Sequence, residues 1–401
     1  MTAIALDRAA TGLRRIVLRG AAVLSAFVLA ACDPGAGSFT GPSTGQMIDP
    51  RQPVPVALLV PGGSGNADLN WLSRSLTNAA RMAAADAQGA AIDLRVYQTN
   101  GDNPATAVAR ANEAVDAGAK IIIGPLFAES ANAVGNAMQG RDVNVLSFSN
   151  NADIAGGNLF VLGNTFGNVA DRLIGYGVRQ NKRRVLIVAE NDVAGQIGAH
   201  AIERAAARNG ATLSGRVNHP VSQQGIDGIT PQVAQAARSG QVDAVFMTAN
   251  NQAVLPYLTE RLAAAGVTSQ VTQFMGLTRW DEPSSRLRLP ALEGGWFAIP
   301  DTSRKAEFDN RYRAAHGEAP HALGGLAYDG VSAIAALARA GRRDALTTRG
   351  LTSSSGFAGV NGTFRLLADG SNQRALAVAT IRGGQVVILE PAPRSFGRSG
   401  S

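Results

Sequence analysis

The 401-residue chain contains one cysteine, so no internal disulfide can form and the fold rests on its apolar core. Aromatic residues make up only 5%. The four histidines, His200, His219, His316 and His321, include no pair at the i, i+4 spacing of a helical metal site. No Gly-x-Ser-x-Gly stands between an expected strand and helix, the match Gly41-Pro42-Ser43-Thr44-Gly45 lying before the first strand, and Pro61-Gly62-Gly63-Ser64-Gly65 lacks the Gly-Lys-Ser/Thr that completes a phosphate loop. These absences argue for a non-catalytic chain that needs no metal or cofactor. Long apolar runs are also lacking: the stretch 21–31 is cut off by Arg19 before it reaches the roughly 20 residues of a membrane span. The net charge is +7, of which Arg8, Arg14, Arg15 and Arg19 against Asp7 supply +3, leaving +4 on the rest. The densest basic cluster, Lys182-Arg183-Arg184, stands just before an apolar run and reads as a solvated turn. Nucleic-acid binding, which needs a basic face with interleaved aromatics, is not expected.

The single cysteine, Cys32, directly follows the apolar stretch 21–31, itself preceded by Arg14, Arg15 and Arg19, which is the layout of a signal peptide. Leu29-Ala30-Ala31-Cys32 resembles the lipobox of bacterial lipoproteins. That resemblance implies that residues 1–31 are removed and that a lipid on Cys32 anchors the chain to a membrane at the periplasmic face of the envelope. Asp33 resembles an inner-membrane retention signal, whereas known lipoproteins of one branch considered below sit in the outer membrane; both sites stay open. Arg14-Arg15 before Ile16-Val17-Leu18 resembles a twin-arginine signal, with the general secretory route as the alternative. Residues 32–53, mostly Gly, Pro, Ser and Thr with few large apolar side chains, read as a flexible tether.

From Pro55 onward, short apolar runs alternate with Gly/Asn/Ser-rich turns and Ala-rich stretches of helical period. Strands are expected at 56–60, 92–97, 121–123 and 143–148, with helices at 72–87, 105–117 and 129–138 between them. The rhythm restarts at 185–189 and continues with strands near 212–217, 244–248 and 271–275 and helices at 196–209, 231–239 and 253–265. Helices at 305–316 and 326–340 and strand-like pieces at 362–367, 375–382 and 385–389 complete it. Strands apolar on both faces and alternating with helices predict an α/β fold of two doubly wound, Rossmann-like lobes with parallel sheets.

Val56-Ala57-Leu58-Leu59-Val60-Pro61, Ile121-Ile122-Ile123-Gly124-Pro125-Leu126, Val145-Leu146-Ser147 and Phe274-Met275-Gly276 resemble the periplasmic binding proteins of the Leu/Ile/Val type. The resemblance runs from about residue 54 to 389. It implies two lobes joined by three crossover strands, with a small polar ligand in the cleft between them. The expected division is 54–162 with 301–358 for the first lobe, 163–300 with 359–392 for the second, and a disordered tail at 393–401.

The cleft loops expected at the carboxyl ends of the strands carry the candidate ligand residues. In the first lobe these are Ser64, then Leu126, Phe127 and Glu129, then Ser147, Ser149, Asn150 and Asn151. In the second they are Asp192, Asn250, Thr278, Arg279 and Trp280, and Asp329 opens a later helix. Family members that bind amino acids hold the α-carboxylate through a Ser or Thr after the third strand and the loop after the fourth. They hold the ammonium through an acid in the second lobe, since a buried zwitterion needs both charges paired. Carried across, the hydroxyl position falls on Ala128, the fourth-strand positions on Ser149 and Asn151, and the acidic position near Thr278. Glu129 or Ser130, and Asp281 or Asp192, would substitute under a shifted register.

Lipobox-bearing chains of this fold include activators of penicillin-binding proteins, and the stretches 145–151 and 276–281 resemble that branch. The expectation put first is thus a non-catalytic envelope lipoprotein whose partner is a peptidoglycan synthase. The alternative is the receptor of an ABC importer, which hands amino acids or related small polar solutes to its permease.

Overall fold

The computed structural model describes residues 44–249 and 253–396. The expected leader, the lipidation site Cys32 and the candidate Asn250 lie outside them. Among the described residues no helix is long and apolar enough to cross a membrane.

Five strands, β1 (Val54–Val60), β2 (Ile92–Gln98), β3 (Ile121–Ile123), β4 (Asn144–Ser147) and β5 (Leu159–Val161), form a parallel sheet in the order β2-β1-β3-β4-β5. Strand periodicity sends Val56, Leu58 and Val60 to one face, where they pack with Leu72, Leu76 and Ile334. Ala57 and Leu59 point to the other face, against Ala107, Ala111 and Val134. Both faces are therefore apolar and covered by helices, as a parallel sheet requires.

The second sheet contains β6 (Arg184–Glu190), β7 (Thr212–His219), β8 (Ala244–Met247), β9 (Gln273–Gly276) and β10 (Trp296–Ile299). Its order is β15-β14-β10-β9-β8-β6-β7, the last two strands in sequence, β14 (Ala377–Arg382) and β15 (Gln385–Glu390), being antiparallel additions at one edge. Between β10 and β14 in sequence, β11 (Phe357–Gly359), β12 (Gly362–Leu366) and β13 (Asn372–Arg374) make a small antiparallel sheet. The chain passes between the two large sheets three times, at 162–165, 300–301 and 375–376.

Most strand-to-helix turns end in a side-chain cap. Asn66 accepts from the N–H groups of Asp68 and Leu69, Asn103 from Thr106, Thr165 from Asn168, Asp192 from Gly195 and Ser222 from Gly225. Each satisfies a donor that a helix start would otherwise leave unpaired.

Several expectations are corrected. Residues 44–53 of the expected tether pack on the first lobe: Ile48 is buried, its N–H donates to the Arg343 carbonyl at 2.9 Å, and Gly45 N–H reaches Asp142 Oδ1 at 2.7 Å. The start of the expected disordered tail is also held, since Thr363 Oγ1 donates to the Arg394 carbonyl and Phe396 lies 4.8 Å from the Arg365 guanidinium. The small sheet straddles the expected lobe boundary at 358–359, yet Phe357, Phe364 and Leu366 all enter the first core. The helix expected from Pro231 starts eight residues earlier, as Gln223–Arg238, because Ser222 supplies the cap and Pro231 is tolerated inside. The helix Phe166–Arg179 was not anticipated, as Gly167, Gly175 and Gly177 lower its intrinsic propensity. Burial of Leu173, Ile174 and Tyr176 stabilises it instead.

Candidate functional site

A cavity of about 490 Å³ opens where the three crossings run. Gly163 and Asn164 line it from the first crossing, Pro300 from the second, and Arg374 just before the third. Leu126, Phe127, Ala128 and Phe148 supply one apolar wall, Ala322, Leu323 and Leu326 another, and Ser149, Asn150, Asn151 and Asn361 the polar edge. Arg279 contributes from the second lobe. Predominantly apolar walls with a few polar groups are the usual make-up of a small-molecule site.

Of the residues singled out from sequence, the structure brings six to this cavity: Leu126, Phe127, Ser149, Asn150, Asn151 and Arg279. Arg279 pairs through its Nε with Asp281 Oδ1 at 2.8 Å and through Nη2 with Asp281 and Glu282. Burial works against its charge, but the two carboxylates hold its pKa above the ordinary guanidinium value. Asn151 is partly committed, its Oδ1 accepting the Asp153 N–H at 2.9 Å.

The others have different tasks. Trp280 is fully buried in the second core, its ring stacked on Phe297 with centroids 6.3 Å apart. Gly276 and Gly295 flank it so closely that a Cβ on either would overlap the indole. It is thus a core residue and not a ligand platform. Ser147 is buried and ties two loops together, donating to the Pro125 carbonyl at 2.8 Å and accepting from Ser149 N–H at 3.0 Å. Thr278 Oγ1 donates to the Ala249 carbonyl, and the exposed Asp192 caps its helix just after β6. Glu129 is exposed, and Ser64 accepts from Asn66 N–H within its own turn. None of these four lines the cavity.

Asp329 stands one layer behind the wall. It is fully buried and accepts from Val360 N–H at 2.7 Å and from Arg374 Nη1 at 3.0 Å. Burial pushes its carboxyl upward, opposed by the Arg374 guanidinium. Arg374 itself was not foreseen. Its Nε donates to the Leu162 carbonyl at 2.8 Å, and its guanidinium lies 4.8 Å from the Phe364 ring centroid. Its backbone N–H donates to Asn168 Oδ1, and Asn168 in turn donates to Asn372 Oδ1 at 2.7 Å. Asn372 Nδ2 then donates to the carbonyls of Val161 and Gly163. Two of the three crossings are therefore joined by one buried polar network.

The chain matches the periplasmic binding protein family over residues 53–385 and belongs to it. Among curated proteins none matches. Solved structures with the same fold include one described as a branched-chain amino acid ABC transporter from Rhodospirillum rubrum, 18% identical with a TM-score of 0.70, the alignment covering 84% of this chain and all of that one. A substrate-binding protein from Desulfitobacterium hafniense in complex with Leu is 18% identical, TM-score 0.60, over 84% of this chain and 100% of its own. A solute-binding protein from R. palustris in complex with benzoate is 16% identical, TM-score 0.54, over 87% and 98%. The type I binding-protein fold expected from the sequence is the fold of the chain, and family membership implies a periplasmic protein.

Proposed function

We propose that the chain is a non-catalytic solute receptor of an ABC importer, held at the periplasmic face of the envelope by a lipid on Cys32. The observation that carries this reading is the 490 Å³ cavity at the crossings, with walls from the first lobe, the crossings and Arg279 of the second lobe. The two large sheets act as separate lobes, and a ligand that touches both shifts the population toward a closed form that a permease can read. Solved ABC-transporter proteins of the same fold support the receptor over the synthase activator that the sequence put first.

Thermal unfolding with a panel of amino acids, amides, carboxylates and cell-wall fragments tests the proposal. A ligand present at about a thousand times its Kd should stabilise the native state by roughly 4 kcal/mol. The expected result is one chemical class with a clear shift, accompanied by a smaller radius of gyration in X-ray scattering. A flat panel together with capture of a penicillin-binding protein by the purified chain overturns the receptor reading in favour of the activator.

A further inference from the structure

We propose that the cleft takes a small monocarboxylate with an apolar body and no ammonium group, its carboxylate held by Nη2 of Arg374. This rests on the receptor reading above and narrows it to a substrate class.

The Arg374 side chain is 1% exposed. Its Nε is satisfied by the Leu162 carbonyl and its Nη1 by Asp329, but Nη2 is buried with no partner among the described residues. A guanidinium nitrogen left in that state is costly, and a carboxylate oxygen is the acceptor that best satisfies it. Arg374 also lines the cavity, so a ligand there that displaces the covering of Nη2 can supply that oxygen.

An amino acid would need a counter-charge for its ammonium. Among the described residues no Asp or Glu lines the cavity. Asp281 is already engaged by Arg279, and the buried Glu190 at the end of β6 is not a wall residue. An ammonium would therefore find no free carboxylate among the described wall residues. The remaining walls, with Phe127, Phe148, Leu323 and Leu326, suit a branched aliphatic or aromatic body.

Titration calorimetry on the purified full-length protein with isocaproate, isocaproamide and leucine, and with benzoate and benzamide, tests the assignment. At least one acid should bind, with its amide weaker by roughly ten- to a hundredfold, the worth of one charge-assisted hydrogen bond, and leucine weaker than isocaproate. Leucine binding as tightly as isocaproate, or tighter, overturns the assignment and leaves the receptor reading intact. Failure of every compound in the wider panel overturns both. Arg374→Gln should remove the preference for acid over amide. Since that change strands Asp329, the double variant Arg374→Gln with Asp329→Asn, which deletes both charges, is the control for folding. A folded double variant that still prefers the acid overturns the role of Arg374.

Discussion

Replacing Trp280 with alanine separates a cleft residue from a core residue. The indole is fully buried against Phe297 between Gly276 and Gly295. A buried tryptophan removes about 150–250 Å² from water, worth roughly 4–6 kcal/mol at 25 cal/mol per Å². Against this stands its Nε1–H, buried with no acceptor among the described residues, a burden of about 1–3 kcal/mol that the variant relieves. The net loss should be about 3 kcal/mol, at the lower end of aromatic-to-alanine changes. Trp280→Phe keeps most of the packing and removes the unpaired donor, so it should stay within about 1 kcal/mol of the parent.

Urea unfolding followed by far-UV circular dichroism measures both, and calorimetry on the folded fraction measures ligand affinity. The expected pattern is a large drop in midpoint for Trp280→Ala, a small one for Trp280→Phe, and unchanged intrinsic affinity for both. Trp280→Ala with an unchanged midpoint and a weakened ligand would refute the core assignment and return the indole to the cleft.

Gly295→Ala forces a methyl group into the indole and should cost about 1–3 kcal/mol in the same urea assay, the range for overpacking. Asp329→Asn leaves the Arg374 cation buried without its counter-ion and should lower stability by about 3 kcal/mol, with the double variant Asp329→Asn and Arg374→Gln recovering part of that loss. Asp243 is held down to about 2 by Arg184, whose guanidinium bonds it, and by two backbone N–H groups. Its ordinary value is 3.8, so the folded form gains stability above pH 3.8 and loses it as pH falls toward 2. Arg184 is largely solvent-exposed, which screens the pair and reduces the effect to about 1 kcal/mol. The stability gap between the parent and Asp243→Asn should therefore narrow by that amount between pH 6 and pH 2; a constant gap would show that the carboxylate is not preferentially ionised in the fold.

The parallel sheets were legible because their strands carry apolar residues on both faces. Ile121-Ile122-Ile123 can be buried only in the middle of a covered sheet, and all three side chains are buried there. The short strands β5 and β10 and the glycine-bearing helix Phe166–Arg179 escaped notice because tertiary packing, not local preference, fixes them. In the site, loops after β3 and β4 could be located because cleft residues follow strand ends, which brought Leu126, Phe127 and the run Ser149-Asn150-Asn151 into view. The Asn- and Asp-rich turns misled for a physical reason: the side chains that suit a polar ligand also suit a helix cap, and Asp192 is occupied in that way. Trp280 misled because a polar neighbourhood in sequence, Arg279 and Asp281, says nothing about which way the intervening ring points.

Arg374 could not have been found by any of these signals, since it follows no apolar strand, opens no helix and belongs to no motif. Its importance arises from where the crossings meet. Strand β13 ends at the cavity wall just before the chain returns to the second sheet, and the first crossing, with Leu162 and Gly163, runs alongside. The bonds from Asn372 to the Val161 and Gly163 carbonyls hold the two segments together, and Asn168 ties both to the first helix of the second lobe. A ligand that engages Arg374 therefore pulls on the network through which the lobes are joined. Such a ligand can favour one lobe arrangement only through a difference in its contacts between the open and closed forms. Under the proposed receptor reading Arg279 would supply the second-lobe half of that difference, so closure should depend on the two arginines together and not on either one alone.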